Sequence, residues 1–322
     1  MPLLTRKRVI LVETESSYGT DPTPTGADAL TVSELSITPQ SSDVVNRDTV
    51  RPYLGASEQL LANTRVECTF SVELAGSGTG GTAPRWGKAL KACGMSESAS
   101  GTGAAGVVTY APVSGSFSSV TIHYLIDGVR HKVVGCRGNA SISAEVGSIP
   151  SLDFTFTGVY VAPDDSAIPS VTYGDQATPL VFKNGNSSGF SLLNYAGSLQ
   201  SISLDFGNST VYRELVGGTK EVLITDRAVT GSVSIEAVTM ATKNYFAAAL
   251  TDSGLGSNTQ LQFTHGTGSS GSANGNTIKV ASTRCDIGDV SYGEQDGIAM
   301  LEIPYTLIPS TAGNDEFSIV QY

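Results

Sequence analysis

Residues 119–134 read SVTIHYLIDGVRHKVV, and this stretch decides the fold class. β-Branched and aromatic residues alternate with polar ones on both sides of Asp127-Gly128. Alternation with a period of two residues is typical of strands, and an Asp-Gly pair between two such runs is a strong signal for a hairpin turn. The same alternation recurs at residues 65–74 and 152–157. The sequence therefore predicts a mainly β protein.

Length and charge limit the classes of function. The chain has 322 residues, which suggests two domains at roughly 100–200 residues each. Its net charge of −11 argues against a protein that wraps nucleic acid, since such proteins need clustered cations. The apolar run at residues 9–12 is too short for a secretory signal, and no run approaches the roughly 20 residues that span a bilayer. We expect a folded, acidic protein that does not enter a membrane.

An internal repeat organises the chain. Short helices are predicted at about residues 84–93 and 240–250, each after a strand, a long polar segment and a second strand. The linker between the repeats is rich in Pro, Asp, Gly, Asn and Ser. We predict an N-terminal arm at residues 1–28, a first domain at 29–162, a linker at 163–195 and a second domain at 196–322.

Few residues are candidates for catalysis or metal binding. His123 and His131 flank the predicted hairpin turn, yet no Cys or carboxylate cluster completes a metal site, and surface histidines are the simpler interpretation. Residues 185–189 match the GxSxG pattern around Ser187, but no strand-to-helix turn is predicted there and no partner acid is evident. No catalytic residue, cofactor or metal is predicted. Four widely spaced cysteines are expected to be reduced and structural: Cys68, Cys93, Cys136 and Cys285.

Three N-terminal stretches carry a family resemblance. They are VETESSYGTDPTP at residues 12–24, LTVSELSITP at 30–39 and VNRDTVRPYLG at 45–55. Together they resemble the start of the tail tube (major tail) proteins of long, non-contractile-tailed bacteriophages, over about the first 75 residues. The resemblance implies two tandem tail-tube-like β-sandwich or barrel domains, each with one flanking α-helix. It also implies stacked rings that form a hollow tube for the genome, with three duplicated subunits supplying six domains per ring.

The resemblance further implies partners and a location. The chain would assemble with itself, in homotrimeric rings, and with tape measure, tail terminator and distal tail or baseplate proteins. Double-stranded DNA would pass without specific binding, helped by the acidic balance of both halves of the chain. The protein would be made in the host bacterial cytoplasm and end in the virion. The arm at residues 1–28 would dock on a neighbouring subunit.

The long polar segments at residues 41–61 and 207–221 are assigned by the resemblance to stacking between rings. Their charged residues have both signs and are candidates for ion pairs between rings, with a solvated loop as the alternative. These residues are Arg47, Asp48, Arg51, Glu58, Arg213, Glu214, Lys220 and Glu221.

Three other functions remain open. A surface β-sandwich that binds carbohydrate or acts as an adhesin fits the Gly, Ser and Thr content. A hydrolase built on Ser187 would need a nearby His and acid. Another phage virion β-domain, such as a head decoration or tail terminator protein, would cap a structure rather than polymerise.

Overall fold

The computed structural model describes residues 2–250, 260–267 and 275–322, and the chain is mainly β, as predicted. Two α-helices, α1 (Gly87–Ala92) and α2 (Tyr245–Ala249), accompany the strands. The strands, in chain order, are β1 (Arg8–Thr14), β2 (Ser33–Asn46), β3 (Gln59–Glu73), β4 (Met95–Ser100), β5 (Val107–Pro112), β6 (Val120–Ile126), β7 (Val129–Glu145), β8 (Ser151–Tyr160), β9 (Asp164–Asp165), β10 (Ser187–Leu192), β11 (Leu199–Asp205), β12 (Asn208–Arg213), β13 (Glu221–Arg227), β14 (Thr230–Glu236), β15 (Leu261–His265), β16 (Ile278–Ser282), β17 (Cys285–Ile287), β18 (Ser291–Gln295), β19 (Ile298–Leu307) and β20 (Ser318–Gln321). None of the described helices is long and apolar enough to cross a membrane.

Two antiparallel sheets share one core. The large sheet follows the order β17-β19-β14-β11-β7-β8-β3-β2, and β1, β6, β9 and β18 attach beside it. The second sheet follows the order β10-β15-β16-β20-β5-β4. A single hydrophobic cluster contains inward side chains of both, such as Phe154 from the large sheet and Phe263 from the second. Trp86, beside α1, is fully buried in the same cluster and donates from its indole nitrogen to the Ala75 carbonyl at 2.7 Å.

Each sheet contains strands from both halves of the chain. In the large sheet β7 pairs with β11, and in the second sheet β5 pairs with β20. The segment at residues 163–195 contributes β9, β10 and the buried Phe182 rather than a bare connection. The order of hairpin, helix and further strands does occur twice, but the predicted domain boundaries and the duplication stay predictions.

The two long polar segments, residues 41–61 and 207–221, belong to hairpins. β2 and β3 continue as a pair from Asp43–Ala62 to Asn46–Gln59, beyond the point where β8 stops pairing with β3. β12 and β13 pair from Asn208–Arg227 to Arg213–Glu221. Strands thus occupy the ends of both polar segments, while residues 47–58 and 214–220 form the loops that connect them. The apolar pairs Val44-Val45 and Leu60-Leu61 lie opposite each other in the first hairpin, and because they do not alternate with polar residues the sequence carries no strand signal there.

The predicted helices exist but are shorter than expected. α1 ends before Gly94, whose φ of +77° suits glycine and stops the helix. In α2 the side chain of Asn244 caps the N-terminus by accepting from the Ala247 amide at 2.9 Å. The Asp127-Gly128 turn is confirmed, with both residues at positive φ between β6 and β7.

The N-terminal arm packs on its own chain. β1 pairs with β6 along its whole length, and Ile10, Leu11 and Val12 are buried. The segment therefore folds onto its own chain, and contact of residues 1–28 with a neighbouring subunit stays a prediction. Burial of these three apolar side chains and the backbone pairing with β6 together hold β1 on the body of the chain.

The four cysteines are free, as predicted, and all four are buried. Burial raises the pKa of Cys68 and of Cys285 to about 12, and it raises the pKa of Cys93 and Cys136 well above the usual value. Because the thiolate is the reactive form, folding protects all four thiols from modification.

We predict that the native protein is inert to a disulfide reagent such as Ellman's reagent at about pH 8, where a free thiol would react. After unfolding in guanidinium chloride, all four thiols should react. Absorbance of the released thiolate measures both states. A thiol that reacts quickly in the native protein would contradict the burial described above.

Candidate functional site: acidic sheet face and projecting hairpins

One face of the large sheet carries hydroxyl and carboxylate side chains in continuous rows. The antiparallel register places them side by side while the alternate residues, such as Phe154 and Ile142, point into the core. One row runs through Ser71, Asp153, Ser141, Asp205, Thr230, Thr306 and Asp286. The next runs through Glu73, Ser151, Ser143, Ser203, Ser232 and Pro304. A third runs through Glu145, Ser201, Ser234, Glu302 and Ser291.

Short hydrogen bonds connect neighbouring strands on this face. Asn139 Nδ2 donates to Asp205 Oδ1 at 2.6 Å, from β7 to β11. Ser234 Oγ donates to Glu302 Oε1 at 2.6 Å, from β14 to β19, and the hydroxyls of Ser203 and Ser232 are 2.9 Å apart. Each bond adds a cross-strand side-chain contact to the backbone ladder. The polar rows are therefore held in place rather than freely mobile.

The electrostatic balance of this face is negative. Its carboxylates are Glu67, Glu73, Glu145, Asp153, Asp205, Glu236, Asp286 and Glu302. The cations that share its rows are Arg65 and Arg137, both toward one end. Arg65 is paired with Asp43 and Glu67 at 3.3 and 3.4 Å. We call this surface the acidic face.

The outer side of the second sheet differs in charge. A row across all six of its strands runs through Ser98, Thr109, Val320, Lys279, Thr264 and Ser188. This row contains one cation and no carboxylate, although it is equally rich in hydroxyls. The sandwich therefore presents one acidic side and one side with almost no charge.

Two hairpins project from the same end of the large sheet. The long hairpin (residues 43–62) extends β2 and β3, and the short hairpin (residues 208–227) is formed by β12 and β13 after β11 ends. Three successive antiparallel pairings make β11 run opposite to β3, so β11 ends toward the end of the sheet at which β3 begins. Asp205 itself is level with Ser71, near the end of β3. The opposite end of the sheet carries the start of β11 and the start of β19.

Exposed apolar side chains concentrate on these hairpins. Val50 and Leu54 in the long hairpin and Val216 in the short hairpin are fully exposed. Further exposed apolar side chains on the two hairpins are Val44, Val45, Tyr53, Leu60, Leu61, Val211 and Leu215. Apolar side chains gathered in this way mark interaction surfaces rather than ordinary solvent-facing strands.

The opposite end of the large sheet also has apolar surface. Val146, Ile149 and Ile298 are exposed there. Beside them lies a cleft of about 560 Å³. Its lining includes Phe182, Lys183, Ser187, Phe190, Leu199 and Phe263.

The charged residues predicted for stacking all lie on the two hairpins. Arg47 pairs with Glu58 at 2.8 Å and Lys220 with Glu214 at 2.9 Å, each within its own hairpin. Hydrogen bonds from Lys220 and Tyr212 hold the pKa of Glu214 below its usual value. The other four residues are Asp48, Arg51, Arg213 and Glu221. Arg213 is directly opposite Glu221 in the short hairpin, and Arg51 Nε donates to Thr49 Oγ1 at 3.1 Å. Contact of these residues with another subunit stays a prediction.

Sequence reasoning missed the acidic face and the apolar surface of the hairpins. The signal for the face was present, because hydroxyls and carboxylates occupy every second position of the strands that form it. The strand order that brings those positions together was not available, since β7 and β11 come from different halves.

The histidines do not form a metal site. His123 is buried, contrary to the surface position expected, and its Nε2 lies 3.1 Å from both carboxylate oxygens of Asp21. Burial lowers the pKa of His123, although Asp21 opposes that shift. His131 pairs with Tyr124 and so lies on the other face of the hairpin. No group of three potential metal ligands occurs within the described ranges.

The GxSxG stretch does meet a histidine. Ser187 Oγ is 3.0 Å from His265 Nδ1, a neighbour that the sequence did not reveal. However, no carboxylate contacts the His265 ring among the described residues, so no acid orients the ring as in a triad. Ser187 also lies in β10, paired with β15, rather than on a strand-to-helix turn. The geometry gives a hydrolase no support.

The carbohydrate-binding alternative needs an exposed aromatic platform. The single tryptophan, Trp86, is fully buried and cannot supply it.

Comparison with known proteins agrees with the resemblance seen at the N-terminus. A family model described as phage tail tube protein matches residues 5–307, which extends the resemblance from the first 75 residues to nearly the whole chain. No curated protein matches the chain. The family consists of structural phage tail proteins, in keeping with a β-rich fold. The chain belongs to the phage tail tube protein family.

Proposed function

We propose that this chain polymerises into stacked rings that form the hollow tail tube through which DNA reaches the host. The observation that carries the proposal is the placement of apolar surface at both ends of the large sheet. The two hairpins project from one end, and the cleft lined by Val146 lies at the other, together with the exposed side chain of Ile298. A contact between two different surfaces of identical subunits propagates head to tail, so it generates a filament instead of a closed dimer.

The edges of the large sheet support ring formation. β2 forms one edge, and β17 and β18 lie along the other, next to β19. Unpaired edge strands are templates for pairing with another chain. Pairing of β2 with β17 or β18 of the next subunit would continue the sheet around a ring, and a closed barrel leaves no edges.

The acidic face fits the inner wall of such a tube. Carboxylates in fixed rows repel phosphates at distances within the Debye length of about 8 Å, and hydroxyls hold water against the wall. Proteins bind DNA through clustered cations, whereas the acidic face carries mostly carboxylates. The outer side of the second sheet, with its low charge, would then form the outer wall.

Three subunits per ring would give pseudo-sixfold symmetry. Each half of the chain provides one hairpin at the same end of the large sheet, so three chains present six. The hairpin end and the cleft end would meet different partners where the tube stops. Tail terminator and distal tail or baseplate proteins would bind at these ends, and the tape measure protein would occupy the lumen during assembly. The protein would be made in the host bacterial cytoplasm and incorporated into the virion.

A head decoration or tail terminator role fits the surface less well. A capping protein needs one assembly surface, whereas this chain exposes apolar surface at both ends of its large sheet.

We predict that the double substitution Val50→Asp and Leu54→Asp prevents assembly without unfolding the chain. Both side chains are fully exposed, so the free energy of unfolding should change by less than about 0.5 kcal/mol. The wild-type protein, when concentrated, should form hollow rods in negative-stain electron micrographs, and the double variant should remain as small particles.

The matched control is Thr49→Asp with Ser57→Asp, which adds the same charge to the same hairpin but removes no apolar surface. This control should still form rods. Rods from the Val50→Asp and Leu54→Asp variant, at the wild-type concentration threshold, would refute a role for the apolar hairpin surface.

We also predict that the acidic face repels anions locally. Ser143→Cys places a thiol in its rows, and Ser98→Cys places one on the outer side of the second sheet. For each variant the measured quantity is the reaction rate with a dianionic thiol reagent divided by the rate with a neutral one. At low salt this ratio should be about fivefold to tenfold lower for Ser143→Cys than for Ser98→Cys. The difference should vanish at about 1 M salt, where the Debye length falls to about 3 Å.

The native cysteines do not interfere because they are buried. Equal rate ratios at the two positions in low salt would show that the acidic face carries no effective negative potential.

A further inference from the structure

The short hairpin is attached to the body differently from the long one. The long hairpin continues strands of the large sheet, so the backbone ladder fixes its direction. The short hairpin is a two-stranded sheet of its own that pairs with none of the other described strands. A two-stranded hairpin is only marginally stable alone, so side-chain contacts must set its orientation. At its base, Asn208 Nδ2 donates to the Cys93 carbonyl at 2.7 Å and Arg227 pairs with Glu316 at 2.7 Å.

The segment that follows β1 packs against a bulge in β7. The register of β7 with β8 shifts between Val134 and Arg137, and Gly135 in the bulge has φ of +62°. The Gly135 amide donates to Glu15 Oε1 at 2.7 Å. The Glu15 carboxylate is almost fully buried and accepts three more hydrogen bonds, from Thr121 Oγ1, Ser119 Oγ and the Gly19 amide. Four donors satisfy this buried charge, and they fix the backbone on both sides of Tyr18.

Tyr18 connects the bulge to the short hairpin. Its hydroxyl donates to the Gly135 carbonyl at 3.0 Å and accepts from the Val222 amide at 2.5 Å. Burial raises the pKa of Tyr18 to about 12, so the hydroxyl keeps the proton that it donates. A Cβ atom on residue 135 would stand 2.7 Å from Tyr18 Cζ, so glycine is required for this approach.

Arg137 holds the same hairpin residue from the other side. Its Nη1 donates to the Val222 carbonyl at 2.8 Å, and its other nitrogens donate to the carbonyls of Phe117 and Ser118. The guanidinium lies 4.8 Å from the centre of the Tyr18 ring, a cation–π contact. The Val222 side chain is fully buried. Both backbone polar groups and the side chain of Val222 are therefore held by the body of the protein.

We infer that Glu15, Tyr18, the Gly135 bulge and Arg137 form a clamp that fixes the short hairpin in the orientation in which it binds a second copy of this chain. Val222 is directly opposite Tyr212, midway between the base of the hairpin and its apolar residues Leu215 and Val216. A hairpin held at this point loses less conformational entropy when it docks, which strengthens binding without any new contact. The inference rests on the proposed self-assembly, and the clamp itself is a property of the single chain.

The variant Tyr18→Phe tests the clamp. It keeps the ring and the Arg137 contact but removes the hydroxyl that bonds Gly135 and Val222. Hydrogen exchange of the dilute, full-length protein should speed up about three- to tenfold over residues 221–227, the effect of losing one hydrogen bond, and stay unchanged in β8. Tyr245→Phe is the matched control, because it removes a buried hydroxyl that bonds the Leu192 carbonyl far from the hairpin. It should leave exchange over residues 221–227 as in the wild type.

Gly135→Ala is a second route to the same effect, since the added Cβ displaces the Tyr18 ring. If residues 221–227 exchange at the wild-type rate in both Tyr18→Phe and Gly135→Ala, the clamp does not exist.

Assembly gives the second readout. The protein concentration at which rods appear should be raised several-fold by Tyr18→Phe and left unchanged by Tyr245→Phe. Faster exchange in Tyr18→Phe with an unchanged assembly threshold would overturn the role of the clamp in docking. If the wild-type protein forms no rods, the proposed function fails, while the exchange measurement still decides whether the clamp exists.

Discussion

The antiparallel register across β7 and β11 is the constraint on which the rest of the structure depends. It joins the first half of the chain to the second at Ser141–Asp205 and Ser143–Ser203. Because side chains alternate strictly along a strand, this one junction decides which face every outward residue of the second half occupies. A shift of one residue would turn Ile202 and Leu204 outward and bury Ser203. The continuity of the acidic face and the common direction of both hairpins follow from the same alignment.

The two hairpins obtain a fixed direction by different physical means. The long hairpin inherits its direction from the backbone ladder of β2 and β3, although bulges interrupt their pairing near Ser41. The short hairpin leaves the sheet after Gly207, whose φ of +63° and close approach to the Ala228 carbonyl exclude a side chain. Side-chain contacts from Tyr18 and Arg137 then replace the missing ladder. The N-terminal segment, which packs on its own chain, thereby connects the first half to the short hairpin of the second.

Local sequence was sufficient for the local elements. The Asp127-Gly128 turn and the two helices were predicted because neighbouring residues determine them, and the reduced state of the four cysteines was predicted from their wide spacing. Features set by distant pairs could not be predicted: the extension of β2 and β3 into a hairpin, the β1–β6 pairing, and the contact of His123 with Asp21. The charged residues of the hairpins were assigned to stacking through the resemblance to tail tube proteins. The apolar residues beside them were not, since exposure depends on where β8 stops pairing with β3.

The central claim is that the acidic face lines a channel in an assembly of this chain. A cryo-electron microscopy reconstruction of filaments grown from the purified protein tests it most directly. The account predicts a hollow tube with threefold symmetric rings, the row through Asp153 and Asp205 on the inner wall, and both hairpins in contact with the adjacent ring. A tube in which that row faces the outside, or rings of six copies, would contradict the account.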